Sequence, residues 1–339
     1  MQIGELEQLL GLHPEVEVLA KEFSKKREKH FLLKDLHASA QSIILHALHQ
    51  RLAHAKNARP MLILLDNADE AQYMYADLRT LSQEKDVYFF PSSHRRRQGT
   101  DEAMAVQRTE VLTALVNNTH DNQSIIIVTY PEALAESVPQ PSLLQQQTIH
   151  IAVEQEIAQS ALISQLIEFD FQRVDFVYEP GQFAVRGGIL DVFSPAADRP
   201  FRAEFFGDEL DTMGYFDTDS QRRTENVDSV VVLPVGETQP RLHPAGLTGL
   251  CEDLKHLIAR QRRRKNINEP LIQTLEKDLE KYENSLQNPA SDRYMGLIYP
   301  EFATALNYIP EGALWILCDQ SSLKRSARSR TEAMGMSLD

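Results

Sequence analysis

The most restrictive feature of this chain is a unit repeated between residues 60 and 130: a short apolar run, then an amphipathic stretch. Residues 60–81 read PMLILLDNADEAQYMYADLRTL, a run that stops at Asp66-Asn67 and continues with apolar residues at helical spacing. Val87-Tyr88-Phe89-Phe90 is a second run, and the helical pattern DEAMAVQRTEVLTALVN follows it at 101–117. SIIIVTY at 124–130 is a third run. Strands without polar alternation are buried on both faces, and strands alternating with helices specify a parallel sheet covered on both sides. The apolar run Ala313-Leu314-Trp315-Ile316-Leu317 is expected to return to this sheet, with Asp319 capping a last helix rich in Ser and Arg.

His30-Phe31-Leu32-Leu33 reads as a short strand. Ile43, Ile44, Ala47, Leu48 and Leu52 give a helix from Ser39 onward. A strand, a loop and a helix are the setting of a phosphate-binding loop. Such a loop needs glycines, so that backbone N–H groups converge, and a Lys that reaches the outer phosphates. Residues 33–42 contain no Gly, and no Lys-Ser or Lys-Thr pair follows. Lys34, Asp35, His37 and Ser39 therefore read as a degenerate loop that binds no nucleotide in the ordinary way. Leu62–Asp66 resembles the apolar run and acid that hold Mg²⁺ in ATPases, but Asn67 follows. The simpler reading is a core strand ending in a helix cap at Asp66 or Asn67.

The character changes after residue 136. SVPQPSLLQQQT (137–148) reads as a linker, His150–Val153 as a short strand and 154–169 as a helix. Then comes RVDFVYEPGQFAVRGGILDVFSPAADRPFRAEFF (173–206). Pro180 and Gly181 suit the inner positions of a type II turn. Val174, Phe176 and Tyr178 alternate with Arg173, Asp175 and Val177, and Phe183, Val185 and Ile189 alternate with Ala184, Arg186 and Gly188. If the turn closes a hairpin, Phe183 pairs with Tyr178, Arg186 sits opposite Asp175, and both arginines leave the apolar face. Arg186–Asp175 is then either an ordinary cross-strand ion pair or part of a binding surface. Phe201–Phe206 and Leu210–Phe216 form a second pair across Gly207-Asp208, a type II′ turn pattern, and Val227–Leu233 is the last strand. Leu247–Arg260 and Pro270–Leu286 read as helices. RQRRRK (260–265) reads as a solvated helix end, and Arg95–Arg97 as a solvated loop or an anion contact.

The formal charge of −14 argues against a surface that binds nucleic acid as a whole, since backbone affinity comes from Lys and Arg. Two cysteines in apolar settings make neither a zinc site nor a secreted disulfide scaffold. No apolar run reaches the roughly 18 residues of a membrane helix, and the acidic start lacks a signal-peptide core, so the cytoplasm is expected. GxSxG, HExxH, GxGxxG and paired CxxC are all missing. His46, His49 and His54 share a helix with no carboxylate at metal spacing and read as helix-surface residues. Neither a catalytic nor a metal site is expected.

Three strings in one order, PGQFAVRGGILDVFSP (180–195), RAEFFGDELD (202–211) and FDTDSQR (216–222), resemble the second domain of UvrB, the nucleotide-excision repair protein. They are still more similar to the UvrB-homology module of the transcription-repair coupling factors (Mfd), which shares this chain's lack of a Gly-rich loop. The similarity spans roughly residues 30–320 and is strongest at 170–235. It implies a parallel-sheet, P-loop-NTPase-like α/β domain with a degenerate phosphate loop, plus an inserted α+β domain with an antiparallel sheet. The segments implied are 1–140 for the first part, 141–235 for the inserted domain and 236–339 for a return segment. The resemblance makes the inserted domain a docking surface for UvrA. Arg173 and Arg186 fall on matching positions, Asp175 orients Arg186, Phe183 lies in the same stretch, and Ala184 stands where UvrB has an arginine. The implied function is a non-catalytic adaptor that recruits UvrA to stalled RNA polymerase. In the full-length family protein, other domains carry an ATP- and Mg-dependent translocase that engages double-stranded DNA and displaces RNA polymerase. This module packs on the C-terminal region of that protein. Two other readings stay open, a UvrB-like nucleotide- or DNA-binding domain with residual activity and a purely structural scaffold.

Overall fold

The computed structural model describes residues 13–25, 30–54, 59–83, 86–93, 101–121, 124–195, 197–284, 291–326 and 328. The chain divides into two compact units. Met1–Ser92, Thr113–Glu136 and Ala305–Asp339 make the first, and Ser93–Leu112 and Ser137–Thr304 make the second.

In the first unit, α1 (Pro14–Phe23) and α2 (Ala40–His54) precede β1 (Met61–Leu64), α3 (Ala68–Leu81), β2 (Val87–Phe89), the second half of α4 (Asp101–Asp121) and β3 (Ile126–Thr129). The strand Leu314–Leu317 completes a four-stranded parallel sheet in which it lies beside β1, then β3, then β2. Met61 pairs with both Leu314 and Ile126, so β1 is central, and Ile63 is fully buried as its uninterrupted apolar run requires. Asn67 caps α3: it is extended, and its side chain accepts a bond from the Glu70 N–H at 3.0 Å. Asp66, the acid that superficially resembles a Mg²⁺ ligand, accepts bonds from the Asn67 amide and, at 2.6 Å, from the Ser322 hydroxyl. Asp319 caps the helix at 320–326, accepting from the Ser322 N–H at 3.1 Å.

Two expectations fail in this unit. His30–Leu33 forms no strand, and Phe31, Leu32 and Leu33 are exposed, because nothing pairs with that segment in the sheet. His46 and His49 are not surface residues: His46 is buried, and His49 Nε2 lies 2.7 Å from the Ser124 hydroxyl. The side chain of His54 lies outside the described residues, as do Arg95–Arg97.

In the second unit, β4 (Ser137–Val138) and α5 (Pro141–Gln146) occupy the stretch expected to be a linker; Val138 and Leu144 are buried, so it is part of the packed structure. β5 (Ile149–Ala152) and α6 (Gln159–Glu168) come next. The strands β6 (Gln172–Arg173), β7 (Gln182–Arg186), β8 (Ile189–Val192), β9 (Phe201–Phe206), β10 (Glu209–Phe216) and β11 (Arg223–Asn226) then form one sheet in sequential order. α6 starts five residues later than its periodicity suggested. The intervening Gln155 side chain instead accepts a bond from the Ala152 N–H. β12 (Ser229–Val232) does not extend the meander but pairs antiparallel with β5.

The β9–β10 hairpin closes at Gly207-Asp208 as expected, and only Gly207 takes a positive φ there, 65°, as a type II′ turn requires. One face of the sheet packs Phe183, Leu190, Val192, Phe201 and Ala203 against Leu162 and Leu166 of α6. Each such fully buried side chain contributes about 1.5–3 kcal/mol. The first half of α4 is held by Arg108, which donates to Glu237 Oε1 at 2.8 and 3.0 Å with both side chains buried. α7 (Gly246–Arg262) and α8 (Glu269–Glu283) form an antiparallel hairpin around Leu250, Leu254, Ile258, Ile272 and Leu275.

The half-buried His49 of α2 gives the first unit a pH dependence. Burial pushes the His49 imidazole down to about 4, and His46 adds to this against the opposing bond from Ser124. Its ordinary value is near 6.5, so the unfolded chain takes up a proton first as pH falls. Its stabilising effect is therefore complete above about pH 6.5 and declines between about 6.5 and 4. Chemical denaturation at pH 7 and pH 4.5 should show His49→Gln losing about 2–3 kcal/mol less than the wild type across that interval. Equal losses would exclude His49 as the titrating group.

Candidate functional site

The stretch 172–206 builds a site from two tight turns and one buried carboxylate. Gly181 has φ 86°, in agreement with a type II turn at Glu179–Gln182. That turn does not close a hairpin. β6 runs parallel to β7, with Gln172 beside Gln182 and Arg173 beside Phe183. The type II turn twists the wrong way for a two-residue hairpin. The Gln182 side chain seals it instead, accepting from the Tyr178 and Glu179 N–H groups at 2.9 and 3.1 Å.

The two-residue hairpin lies further on, at Gly187-Gly188, where Arg186 pairs with Ile189 and Gly187 has φ 62°. Gly188 is required for a second reason: a Cβ there would stand 2.8 Å from the Phe205 carbonyl oxygen. The expected single run 183–189 is therefore two strands, and the Gly-Gly dipeptide is the signal that marks it.

Because 174–178 leaves the sheet, its alternation is inverted. Val177 is buried with Ala184, Phe193 and Phe216 on the second face of the sheet. Phe176 and Tyr178, expected to share the apolar face, are 48% and 57% exposed. Phe183 is fully buried in the main core and presents no side-chain surface in this chain.

Asp191 lies on the second face, where the register sets it beside Ala184 of β7 and Arg202 of β9. It is fully buried and holds two arginines. Arg202 grips it bidentately, Nε to Oδ1 at 2.6 Å and Nη2 to Oδ2 at 2.9 Å, and lies 4.9 Å above the Phe216 ring. Arg186 donates to Asp191 Oδ2 from Nη2 and to the Asp175 carbonyl oxygen from Nη1 at 3.0 Å. Its guanidinium carbon is 5.1 Å from the centre of the Phe176 ring. The expected Arg186–Asp175 ion pair is thus corrected: Asp175 contributes its backbone, and the carboxylate comes from Asp191.

The network extends further. Arg202 Nη1 donates to the Gln221 carbonyl at 3.2 Å, and Gln221 Nε2 donates to the Val177 carbonyl at 3.2 Å. Its hydrogen bond to Asp191 pushes the Arg202 guanidinium above its ordinary range. Arg173 is exposed on edge strand β6, and no hydrogen bond or ion pair joins it to this network among the described residues. The structure therefore brings Arg186, Asp175, Phe176 and Asp191 together and keeps Arg173 apart.

The degenerate loop has a different geometry. Lys34, Asp35, His37 and Ser39 are exposed, and Asp35 and Ala38 take positive φ of 61° and 49° without being glycine. The N–H groups of Ala40, Gln41 and Ile43 bond the carbonyls of His37, Ala38 and Ser39 rather than converging on a common point. These residues do not fit a phosphate cradle. Among the described residues there is no group of three His, Cys, Asp or Glu side chains arranged to hold a metal ion, and no helix long and apolar enough to cross a membrane.

Residues 149–237 match the family described as the UvrB interaction domain. This chain carries a UvrB interaction domain. Strands β5 to β12, with the Asp191 network at their centre, make up that domain. Over most of its length the chain is also similar to transcription-repair-coupling factors. It is 27% identical over 304 residues to the one from Bacillus subtilis, covering 87% of this chain and 25% of that protein. It is 34% identical over 112 residues to the one from Escherichia coli (33% and 10%) and 33% identical over 143 residues to the one from Myxococcus xanthus (40% and 12%). The chain spans a quarter or less of the length of these relatives.

The carboxylate at the centre of the UvrB interaction domain sets a testable energy. Asp191→Asn leaves two arginines facing a neutral amide. Breaking a buried pair on one side costs about 3–5 kcal/mol. Arg186 is 34% exposed and recovers some hydration, so about 3 kcal/mol is expected, read as a lowered denaturant midpoint. An unchanged midpoint would show that the network is not what holds this face.

Proposed function

We propose that this chain is a non-catalytic adaptor module of a transcription-coupled repair factor, and that its UvrB interaction domain recruits UvrA to stalled RNA polymerase. The observation that carries this reading is the fixed guanidinium of Arg186, lying against exposed Phe176 within that domain, in a segment that also exposes Tyr178. Arginine and aromatic side chains dominate interface energies. A planar guanidinium that is already oriented loses little freedom when it meets a partner's carboxylate. Arg173 supplies a second cation on edge strand β6. Asp175 serves through its carbonyl, which orients Arg186, and Phe183 serves from the core. In the whole protein, this reading assigns the ATP-dependent DNA translocase and the contacts to RNA polymerase to other domains, and it has the module pack on the C-terminal region. The setting is cytoplasmic.

Binding of UvrA tests the site. Arg173→Glu with Arg186→Gln, which puts no second carboxylate beside buried Asp191 and leaves Arg202 in place, should lower affinity about 30-fold, the equivalent of roughly 2 kcal/mol, in a chain that circular dichroism still shows folded. Retained affinity in the double variant would move the docking site elsewhere, and no binding by the wild type would end the adaptor reading.

The rival reading, a nucleotide-binding domain with residual activity, is separated by ATP with Mg²⁺ at 5 mM. A site with a dissociation constant of about 0.5 mM would add about 1.4 kcal/mol to stability at about that concentration. No shift in melting temperature is expected, because the loop at 33–42 forms no cradle. A shift that Lys34→Ala removes would favour the rival.

A further inference from the structure

The tip of the α7–α8 hairpin reverses the sign of an acidic chain. Residues 254–268 contain no Asp or Glu, yet they hold Lys255, Arg260, Arg262, Arg263, Arg264 and Lys265 in a chain of net charge −14. Two of these cations are already neutralised across the hairpin. Lys255 pairs with Glu283 at 2.7 Å, and Arg262 pairs with Glu276. Arg260, Arg263, Arg264 and Lys265 are exposed and have no salt bridge among the described residues.

Their directions follow from the helix. Leu254, Ile258 and Gln261 face the buried side of α7, so at about 100° per residue Arg263 lies opposite that side, below exposed His256, and Arg260 lies about 60° round from Arg263 on the same exposed half. Arg264 and Lys265 continue the stripe into the turn. Arg260 and Arg264 are about 6 Å apart along the axis at about 1.5 Å per residue.

A helix C-terminus needs far less than this. Its dipole amounts to about half an elementary charge. The last turn closes on its own backbone, with Arg263 and Arg264 N–H groups bonding the Arg260 and Gln261 carbonyls. Four unpaired cations in six positions repel one another, and a dense polyanion relieves that repulsion by shedding its own counterions.

The composition of the tip separates a nucleic-acid backbone from an acidic protein. Protein interfaces draw on aromatic anchors. Residues 254–281 contain no Phe, Tyr or Trp, whereas the arginine at the UvrB interaction domain comes with Phe176 and Tyr178. Duplex DNA carries a charge about every 1.7 Å of axis, so a stripe of this length meets several phosphates. We infer that Arg260, Arg263, Arg264 and Lys265 form a contact for the phosphate backbone of double-stranded DNA, without sequence preference.

The test is fluorescence anisotropy of a labelled mixed-sequence 30-base-pair duplex titrated with the whole chain at about 25 to 150 mM salt, the range over which counterion release is read. Four neutralised phosphates give a log–log salt slope of about −3 to −4. Replacing all four cations by Gln should weaken binding at least tenfold at the lowest salt. A control with the same change in net charge, Lys21→Gln, Arg199→Gln, Arg222→Gln and Lys324→Gln, uses exposed cations elsewhere and should stay within threefold of the wild type. The inference is overturned if the tip variant binds like the wild type, or if the control weakens as much as the tip variant. It is equally overturned if the wild type binds polyglutamate and leaves the duplex unbound.

Discussion

One carboxylate organises the face of the antiparallel sheet on which the proposed docking surface rests. Asp191 has no water to solvate it, so its burial is tolerable only because two guanidiniums converge on it. Each guanidinium then ties down something else. Arg202 reaches the backbone of Gln221, and Gln221 reaches the backbone of Val177, so the loop after β10 and the segment before β7 are clamped onto the same face. Arg186 takes the Asp175 carbonyl and lies against Phe176. An apolar residue at 191 would fill the space but would leave both loops without their anchor. The polar centre here confers arrangement rather than raw stability.

The chain carries two kinds of exposed arginine, and the difference lies in what surrounds them. Arg186 is held by a buried acid and an aromatic ring, so its orientation is set before any partner arrives. Arg260, Arg263 and Arg264, at the end of α7, have no ion-pair partner among the described residues, so no such anchor sets their orientation. A fixed guanidinium suits a partner that presents one carboxylate in one place. Unanchored cations suit a partner whose charge is repeated along its length. The same residue type therefore reads differently according to its second neighbour.

Much of the fold was legible because it rests on period and on turn chemistry. The buried strands of the parallel sheet, the Asn67 cap and the turn at Gly207-Asp208 each follow from a few adjacent residues. The site was less legible. Alternation at 173–178 suggested a strand whose apolar face holds Phe176 and Tyr178, but the segment leaves the sheet after Arg173, and the side chain chosen for the core was Val177. The competing feature was present in the sequence, since Gly187-Gly188 splits the following run into a tight hairpin. Asp191 was overlooked because an acid within GGILDVF looks like the polar member of an alternating strand. Its role depends on Arg202, eleven positions away, and on the register of β8 against β9. Burial of His46 and of the Arg108–Glu237 pair depends on packing between distant segments, which local spacing does not encode. The resemblance to the UvrB-homology module pointed to Arg186 and Arg173, but it did not reveal that one is anchored and the other stands apart.

The pairing of β1 with Leu314–Leu317 has a consequence for the order in which the chain acquires its structure. Ser322 reaches Asp66 across 256 positions, and β1 has no second neighbour until that late segment exists. During synthesis, the antiparallel sheet and the α7–α8 hairpin, whose contacts run mainly between successive elements, are complete before the parallel sheet can close. The apolar residues of β1 must then wait with that edge open. A ribosome that stalls before residue 314 leaves a finished antiparallel domain attached to an unfinished parallel sheet.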